Sequence, residues 1–106
     1  MGFIGISKGV LIMAKFNYGQ LVATCGIRDA VDDNKEFASF VFDSFTRHIN
    51  GDWGDLDKED KKSNDLALES GEDRIFSAYK NKNGVKIWII TEWDRSVTTI
   101  LFPEEY

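Results

Sequence analysis

The sequence predicts an α+β fold in which two helices pack on one face of a mainly antiparallel sheet, which ends in a three-stranded meander. Three observations lead to this prediction: a helical stripe of apolar residues, a second helix-like segment between glycine-containing turns, and three strand-like segments in the last third. The chain has 106 residues, 42% hydrophobic and 13% aromatic, so it can build one core without disulfide bonds.

The first predicted elements are a strand and a long helix. The run QLVATCGI at residues 20–27 is apolar and β-branched, as is typical of a buried strand. Asp32 or Asp33 can then cap a helix by accepting hydrogen bonds from its first free backbone N–H groups. Asn50-Gly51 predicts the end of this helix, because glycine tolerates the left-handed conformation there. Apolar side chains recur every four residues along one helix face, at Phe37, Val41, Phe45 and Ile49.

A second, more polar helix is predicted after the turn GDWGD at residues 51–55. Asp55 or Asp57 can cap its start, and the helix extends to about residue 69 before Gly71 ends it. Because its apolar residues are few, we expect this helix on the surface, anchored by Trp53 and Leu56.

The last third predicts the three-stranded meander. Residues 74–79, 86–92 and 97–102 are rich in isoleucine, valine, threonine and aromatic residues. Asn83-Gly84 is a strong hairpin signal, since both residues accept a positive φ. Asp94-Arg95 makes the second tight turn, and Pro103 ends the last strand because it has no N–H to donate.

Residues 1–12 differ from the rest of the chain. They are apolar, glycine-spaced and free of acidic residues. The codons for Lys8, Gly9 and the following valine can form a ribosome-binding sequence at a suitable distance before Met13. We therefore predict Met13 as the natural start, residues 1–12 as an upstream or poorly ordered extension, and residues 13–106 as a single α+β domain.

The negative charge is concentrated in one part of the chain. The formal net charge is −5, but residues 29–73 hold 14 acidic and 5 basic residues, whereas all the others hold 4 acidic and 8 basic. Such an acidic part attracts basic partners and repels nucleic acid. Because the basic residues are scattered, we expect no direct nucleic-acid binding. A solvated helix face is the other interpretation of an acidic stretch, and it stays open.

Residue counts exclude several kinds of site. A single cysteine, Cys25, cannot form an internal disulfide, which fits the reducing cytoplasm of a bacterial host. A single histidine, His48, excludes a multi-histidine metal site. No uncharged apolar run approaches the roughly 20 residues of a membrane span, so we expect no membrane association.

No motif predicts catalysis. Cys25 lies in the predicted buried strand, where cysteine behaves as a small apolar residue, and a Cys25–His48 dyad is the weaker alternative. His48 lies near the end of the first helix, where a partly charged imidazole suits the helix dipole. The acidic residues from Asn50 or Asp52 onward do not fit the calcium-loop pattern, and no glycine-rich phosphate loop occurs. We therefore expect no enzyme, no metal site and no cofactor.

The aromatic residues suggest a binding surface on the sheet. In the predicted strand at residues 86–92, alternate side chains point to opposite faces, and both faces are partly apolar. One face meets the helices, and the other either binds a partner or is covered by one of the chain ends. Trp88 belongs to this second face, and Trp93 lies near Arg95, two residue types that dominate binding hot spots.

The strings GDWGDLDKEDKKSNDLAL and KIWIITEWDRSVTTILFPEEY resemble a family of small "plasmid-related" proteins. These proteins come from plasmids, integrative elements and phages of Gram-positive anaerobes, and the similarity covers residues 16–106. The resemblance implies a mobile genetic element, a context in which small proteins disarm host defences or regulate transfer. It assigns no catalytic residues.

Two functions follow as hypotheses. The first is a non-catalytic protein that inhibits a host defence nuclease, of the anti-CRISPR or anti-restriction type, through an acidic face that mimics nucleic acid. Its predicted contacts are Asp52, Trp53, Asp55, Asp57, Glu59 and Asp60. The alternative is an accessory protein of element transfer or replication that binds its partner through the aromatic sheet face. Its predicted contacts are Trp88, Trp93 and Arg95. An uncovered sheet edge or face also makes a homodimer reasonable.

Overall fold

The structure, a computed structural model, describes the backbone of residues 3–7 and 10–13 and all atoms of residues 14–106. The described residues form three helices and six strands, followed by a 3₁₀ turn at Pro103–Glu105. The strands are β1 (Phe3–Ser7), β2 (Val10–Met13), β3 (Gln20–Ala23), β4 (Ile75–Lys80), β5 (Lys86–Thr91) and β6 (Val97–Leu101). The helices are α1 (Cys25–Asp33), α2 (Lys35–Ile49) and α3 (Lys58–Ser70).

The α+β class is confirmed, and the sheet is mixed. Its strand order is β3-β6-β5-β4. The last three strands form the predicted meander, because β4 with β5 and β5 with β6 are antiparallel. Strand β3 is parallel to β6, and the long connection that a parallel pair needs is supplied by α1 to α3, β4 and β5, which lie between the two strands along the chain.

The segment at residues 20–27 contains a strand and the start of a helix, which corrects the prediction of one strand. Strand β3 ends at Ala23, and the Thr24 hydroxyl caps α1 by accepting a hydrogen bond from the Ile27 N–H at 3.3 Å. The part of the chain that the structure describes therefore contains three helices rather than two. Asp32 and Asp33 lie at the end of α1, and the side chain of Asn34 caps α2 instead.

The two predicted helices, α2 and α3, are present at their predicted places. Asp57 is the N-cap of α3, where it accepts a hydrogen bond from the Asp60 N–H at 2.8 Å. Gly71 ends α3 with a φ of 73°, and Gly51 follows α2 with a φ of 80°. These ends form where expected because their signals are local in sequence.

The main core lies between the sheet and the pair α1 and α2. Its buried residues come from α1, α2 and all three meander strands: Ile27, Val41, Phe45, Ile49, Tyr79, Ile87, Ile89 and Ile100. A second cluster of Trp53, Ala67 and Ile75 holds α3 and the loop before it against the sheet.

Helix α3 closes one edge of the sheet. Asn64 is 5% exposed, and its side-chain amide bonds both backbone groups of Phe76 in β4, donating to the carbonyl at 2.5 Å and accepting from the N–H at 3.1 Å. The loop before α3 continues this pairing, since Gly54 forms a β-bridge with Ala78. The opposite edge strand, β3, has all four residues exposed.

The first strands form a separate sheet. β1 and β2 pair antiparallel with each other, with Ile6 opposite Leu11 and Ser7 opposite Val10. Within the predicted extension of residues 1–12, Met1, Gly2, Lys8 and Gly9 lie outside the described residues. A natural start at Met13 stays a prediction.

Candidate interaction surfaces

The predicted acidic contacts lie in the loop between α2 and α3 and in the first turn of α3. Asp52 is paired within the chain: Arg47 donates from Nε to Oδ2 at 2.7 Å and from Nη2 to Oδ1 at 3.1 Å. This hydrogen-bonded pair holds the pKa of Asp52 below its usual value. The charge of Asp52 is therefore largely compensated by its own chain.

Asp55 and Asp57 have structural partners but keep their outward charge. The Asp55 carboxylate accepts a hydrogen bond from the Lys80 N–H at 2.9 Å, and its backbone N–H donates to the Ala78 carbonyl at 2.7 Å. The Asp57 carboxylate caps α3 through the Asp60 N–H. Both residues are exposed, and a backbone N–H donor leaves the negative charge of a carboxylate in place.

Glu59 and Asp60 complete the acidic group in the first turn of α3, where the helix dipole favours them. Both are exposed. Three lysines interleave with the acids along α3, namely Lys58, Lys61 and Lys62. The outward negative charge is therefore concentrated at the start of the helix and not along its whole length. We call Asp55, Asp57, Glu59 and Asp60 the acidic corner.

Trp53 is a core residue, which corrects its expected role as an apolar contact for a partner. The side chain is 4% exposed, and its Nε1 donates to the Asp65 carboxylate at 2.8 Å. The indole lies 6.3 Å from the Phe16 ring and 5.9 Å from the His48 ring, between centroids. Its predicted role as an anchor of α3 agrees with this position, because the ring joins α3 to the sheet.

The outer face of the sheet is partly covered by the C-terminal end of the chain. Trp88 makes edge contacts with Phe76 and Tyr106, at centroid distances of 5.1 and 5.7 Å. Arg74 donates to the Tyr106 hydroxyl at 2.8 Å. Trp88 is therefore a half-buried member of an aromatic cluster, while Tyr106 is 71% exposed.

Trp93 and Arg95 have different positions although they are neighbours in the sequence. Trp93 is 63% exposed at the turn between β5 and β6. Arg95 has a φ of 61°, and its guanidinium donates to the carbonyls of Ala67 at 3.0 Å and Asp73 at 2.7 Å. It also donates to the carbonyls of Glu92 and Trp93, each at 3.2 Å. Arg95 therefore ties α3 to this turn, and Trp93 is the member of the pair that a partner can reach.

A buried polar chain around His48 was not predicted. The imidazole is fully buried, with Nδ1 2.5 Å from the Ser77 hydroxyl and Nε2 2.9 Å from the Thr91 hydroxyl. Thr91 lies 2.6 Å from the Thr98 hydroxyl, which donates to the Tyr18 carbonyl at 2.6 Å. Burial lowers the pKa of His48 to about 3. The imidazole is thus neutral, and the expectation of a partly charged group at the helix end is wrong.

The donor and the acceptor of each hydrogen bond around His48 can be assigned. Because Thr98 uses its proton on a carbonyl, Thr91 must donate to Thr98. Nε2 of His48 must then donate to Thr91, which leaves Nδ1 to accept from Ser77. Both ring nitrogens are therefore occupied by hydroxyls, so the alternative Cys25–His48 dyad is not formed. Cys25 is exposed at the first residue of α1.

The sequence does contain a signal for the buried hydrogen bonds of His48. His48 follows Val41 and Phe45 at helical spacing, which places it on the buried stripe. A polar residue on an apolar stripe requires hydrogen-bonding partners. The strand partners could not be named in advance, because they depend on the register of β4 with β5 and of β5 with β6.

A groove lies between the start of α2 and the turn that joins β4 to β5. Its apolar walls include Phe37, Phe40 and Val85, and the Lys82 ammonium pairs with the Glu36 carboxylate at 3.3 Å on its rim. Among the described side chains, no buried polar atom lacks a hydrogen bond.

The described residues contain no group of three or more histidine, cysteine, aspartate or glutamate side chains that could hold a metal ion. None of their helices has the length and apolar character needed to cross a membrane. No family model matches the chain, and no curated protein or solved structure is significantly similar to it.

Proposed function

We propose that this protein is a non-catalytic binding protein of a mobile genetic element that uses the acidic corner to occupy a basic nucleic-acid groove of a host defence nuclease. Nucleases of CRISPR or restriction systems are the proposed targets. The four carboxylates replace phosphate groups, so binding competes with the nucleic acid of the target. Complementary charge accelerates encounter and makes the affinity fall with added salt.

One observation carries this proposal. All four carboxylates of the acidic corner are exposed within a short stretch of chain, and none forms an ion pair with a described residue. The Lys80 N–H and the capped start of α3 hold Asp55 and Asp57 in fixed positions. Carboxylates that are held in position without an ion pair among the described residues, as at Asp55 and Asp57, need little reorganisation to meet a basic surface.

The test removes the charges and keeps the hydrogen bonds. A variant with Asp55→Asn, Asp57→Asn, Glu59→Gln and Asp60→Asn retains an acceptor at each position, and asparagine is itself a good N-cap. Cleavage of DNA or RNA by candidate CRISPR effectors and restriction nucleases is measured with excess protein. We expect the natural sequence to inhibit cleavage, most strongly at low salt. The variant should not inhibit it.

The matched control changes the same number of charges elsewhere. Asp29→Asn, Asp32→Asn, Asp33→Asn and Asp43→Asn replace exposed carboxylates of α1 and α2 that have no ion pair among the described residues. Inhibition by this control variant ties the effect to the acidic corner. Equal loss in both variants would show that net charge alone matters, and unimpeded cleavage in every system would contradict the proposal.

A second candidate function is supported by Trp93. An indole that is 63% exposed beside a turn fixed by Arg95 suits a hot spot for a protein of element transfer or replication. Trp93→Ala leaves the core and the acidic corner in place. Loss of partner capture in Trp93→Ala, with binding retained when the acidic corner is neutralised, favours this second function.

A further inference from the structure

The outer edge of β3 carries unpaired backbone groups. The Gln20 N–H donates to the Ser96 carbonyl at 3.0 Å, and the Thr24 N–H donates to the Ile100 carbonyl at 3.1 Å. Residues of a parallel strand direct their backbone groups alternately to its two sides. The backbone N–H and C=O groups of Val22 therefore also point toward β6, whereas those of Leu21 and Ala23 point outward, away from the sheet. No described residue hydrogen-bonds these four groups.

One edge of the four-stranded sheet is covered by other parts of the described chain, and the other edge is open. At the β4 edge, the Asn64 amide binds both backbone groups of Phe76, and the loop at Gly54 and Asp55 pairs with Ala78. At the β3 edge, no described strand or side chain takes this position. An open edge is a template for another strand, and charge, proline and a bulge are among the features that block it.

None of these blocking features occurs at the β3 edge. Residues 16–27 contain no charged side chain and no proline. Leu21 is 45% exposed and Val22 is 38% exposed, on opposite faces of the strand. In a protein with a net charge of −5, this uncharged surface is where two copies approach with little repulsion.

We propose that β3 pairs with β3 of a second copy of this chain, antiparallel and around a two-fold axis at Val22, to form one continuous eight-stranded sheet. In this register Leu21 lies opposite Ala23 of the partner subunit, and the reverse pair is identical. Each pair exchanges two backbone hydrogen bonds, so all the outward groups of both strands are satisfied.

The occupant is a second copy because the edge is complementary to itself. Its two outward residues are separated by one inward residue, so a two-fold axis at that residue places every donor opposite an acceptor. Val22 then faces Val22 of the partner subunit, which buries the exposed apolar side chains of this face together. A closed two-fold arrangement uses the edge completely and leaves no strand free for further growth there.

Cross-linking tests the register. In an antiparallel pair the non-hydrogen-bonded residues have Cα atoms about 4.5 Å apart, within the range of about 4.4–6.8 Å for a disulfide. We expect Val22→Cys, in a Cys25→Ser background, to form a disulfide-linked dimer under mild oxidation. Ser63→Cys in the same background is the control, because Ser63 is exposed on α3, away from β3. Leu21→Cys should link more slowly than Val22→Cys, because Leu21 lies opposite Ala23 of the partner subunit.

Sedimentation tests the dimer without a new cysteine. We expect the natural sequence to show a concentration-dependent dimer and Val22→Lys to remain a monomer with an unchanged circular dichroism spectrum, because a charge blocks the edge. The proposal is overturned if the natural sequence is monomeric up to its solubility limit and Val22→Cys links no faster than Ser63→Cys. Faster linking by Leu21→Cys would overturn the register. Neither result bears on the acidic corner, whose variants leave β3 unchanged.

Discussion

At the scale of single residues, Gly54 is held by close backbone contact. Its φ is 76°, and a Cβ atom here would overlap the Ala78 carbonyl oxygen and press on the Tyr79 ring. The loop before α3 can pair with β4 only because this side chain is missing. Gly84 has a similar φ of 84°, but a Cβ atom added there would have no neighbour within 4 Å. It is therefore a matched comparison.

We therefore expect the two glycine-to-alanine variants to differ. Gly84→Ala should lower the free energy of unfolding by about 1–2 kcal/mol, the cost of the left-handed conformation alone. Gly54→Ala should cost at least about 2 kcal/mol more, because the overlap also separates the loop from β4. Urea denaturation of both variants measures the difference. Equal costs would show that the Gly54–Ala78 contact can relax.

His48 makes stability depend on pH in a predictable direction. The unfolded chain binds a proton at His48 below about pH 6.5, whereas the folded protein binds it only near pH 3. Between these values the unfolded state holds more protons, so stability falls as the pH is lowered. The loss reaches on the order of 4 kcal/mol by pH 3.

Two measurements check this expectation for His48. The NMR chemical shift of the imidazole Cε1 proton should stay constant from pH 7.5 to 4.5 in the folded protein, although an exposed histidine titrates at about pH 6.5. Urea denaturation of His48→Gln should give a flatter dependence of stability on pH than the natural sequence between pH 6.5 and 5. Titration of the imidazole near pH 6.5 in the folded state would contradict the buried neutral form.

At the scale of elements, the sequence predicted what local signals determine. The apolar stripe of α2, the Asp57 cap and Gly71 end of α3, and the turn at Asn83-Gly84 all act within a few residues. Helix α1 was missed because its apolar, β-branched start resembles a strand and its cap, Thr24, follows β3 directly. The parallel pairing of β3 with β6 was missed because it depends on distant segments.

The same distinction applies to the candidate site. Exposure of the acidic corner follows from its polar sequence and was predicted. The partners of Asp52, Asp55 and Trp53 lie in other elements, so the sequence could not show which carboxylates are compensated or that the indole is buried. Contacts made through the fold thus pair the charge of the exposed Asp52 with Arg47 and bury the Trp53 indole.

The charged side chains of α3 stabilise the start of the helix and destabilise its end. Glu59 and Asp60 lie in the first turn, but no basic residue lies in the last turn, where Glu69 is exposed. We expect Glu69→Lys to raise the free energy of unfolding by about 0.5 kcal/mol, through the helix dipole and a new pair with Asp65. Glu59→Lys should lower it by a similar amount. Both variants change the net charge equally.

Thermal and urea denaturation at low salt measure this difference. Stabilisation by both lysines would mean that relief of overall negative charge outweighs the helix dipole. The comparison also serves the binding experiments, because it separates the effect of a charge on α3 stability from its effect on a partner.

At the scale of the whole molecule, the four-stranded sheet and the first hairpin are separate in their hydrogen bonding. Among the described strands, β1 and β2 pair only with each other, and the larger sheet contains β3 to β6. The backbone of Lys15 joins the rest of the protein directly, since its N–H donates to the Ile49 carbonyl at 2.8 Å. Removal of residues 1–12 therefore breaks no strand pairing of the four-stranded sheet.

We expect a variant that begins at Met13 to keep a cooperative thermal transition, with a melting temperature within a few degrees of that of the full chain. A two-stranded hairpin is marginally stable by itself, so its loss removes little from the folded state. Hydrogen exchange should show the amides of β4, β5 and β6 protected equally in both proteins, because their ladders and the buried His48 chain remain. Loss of the cooperative transition, or faster exchange in β6, would instead show that residues 1–12 stabilise the α+β domain and belong to its fold.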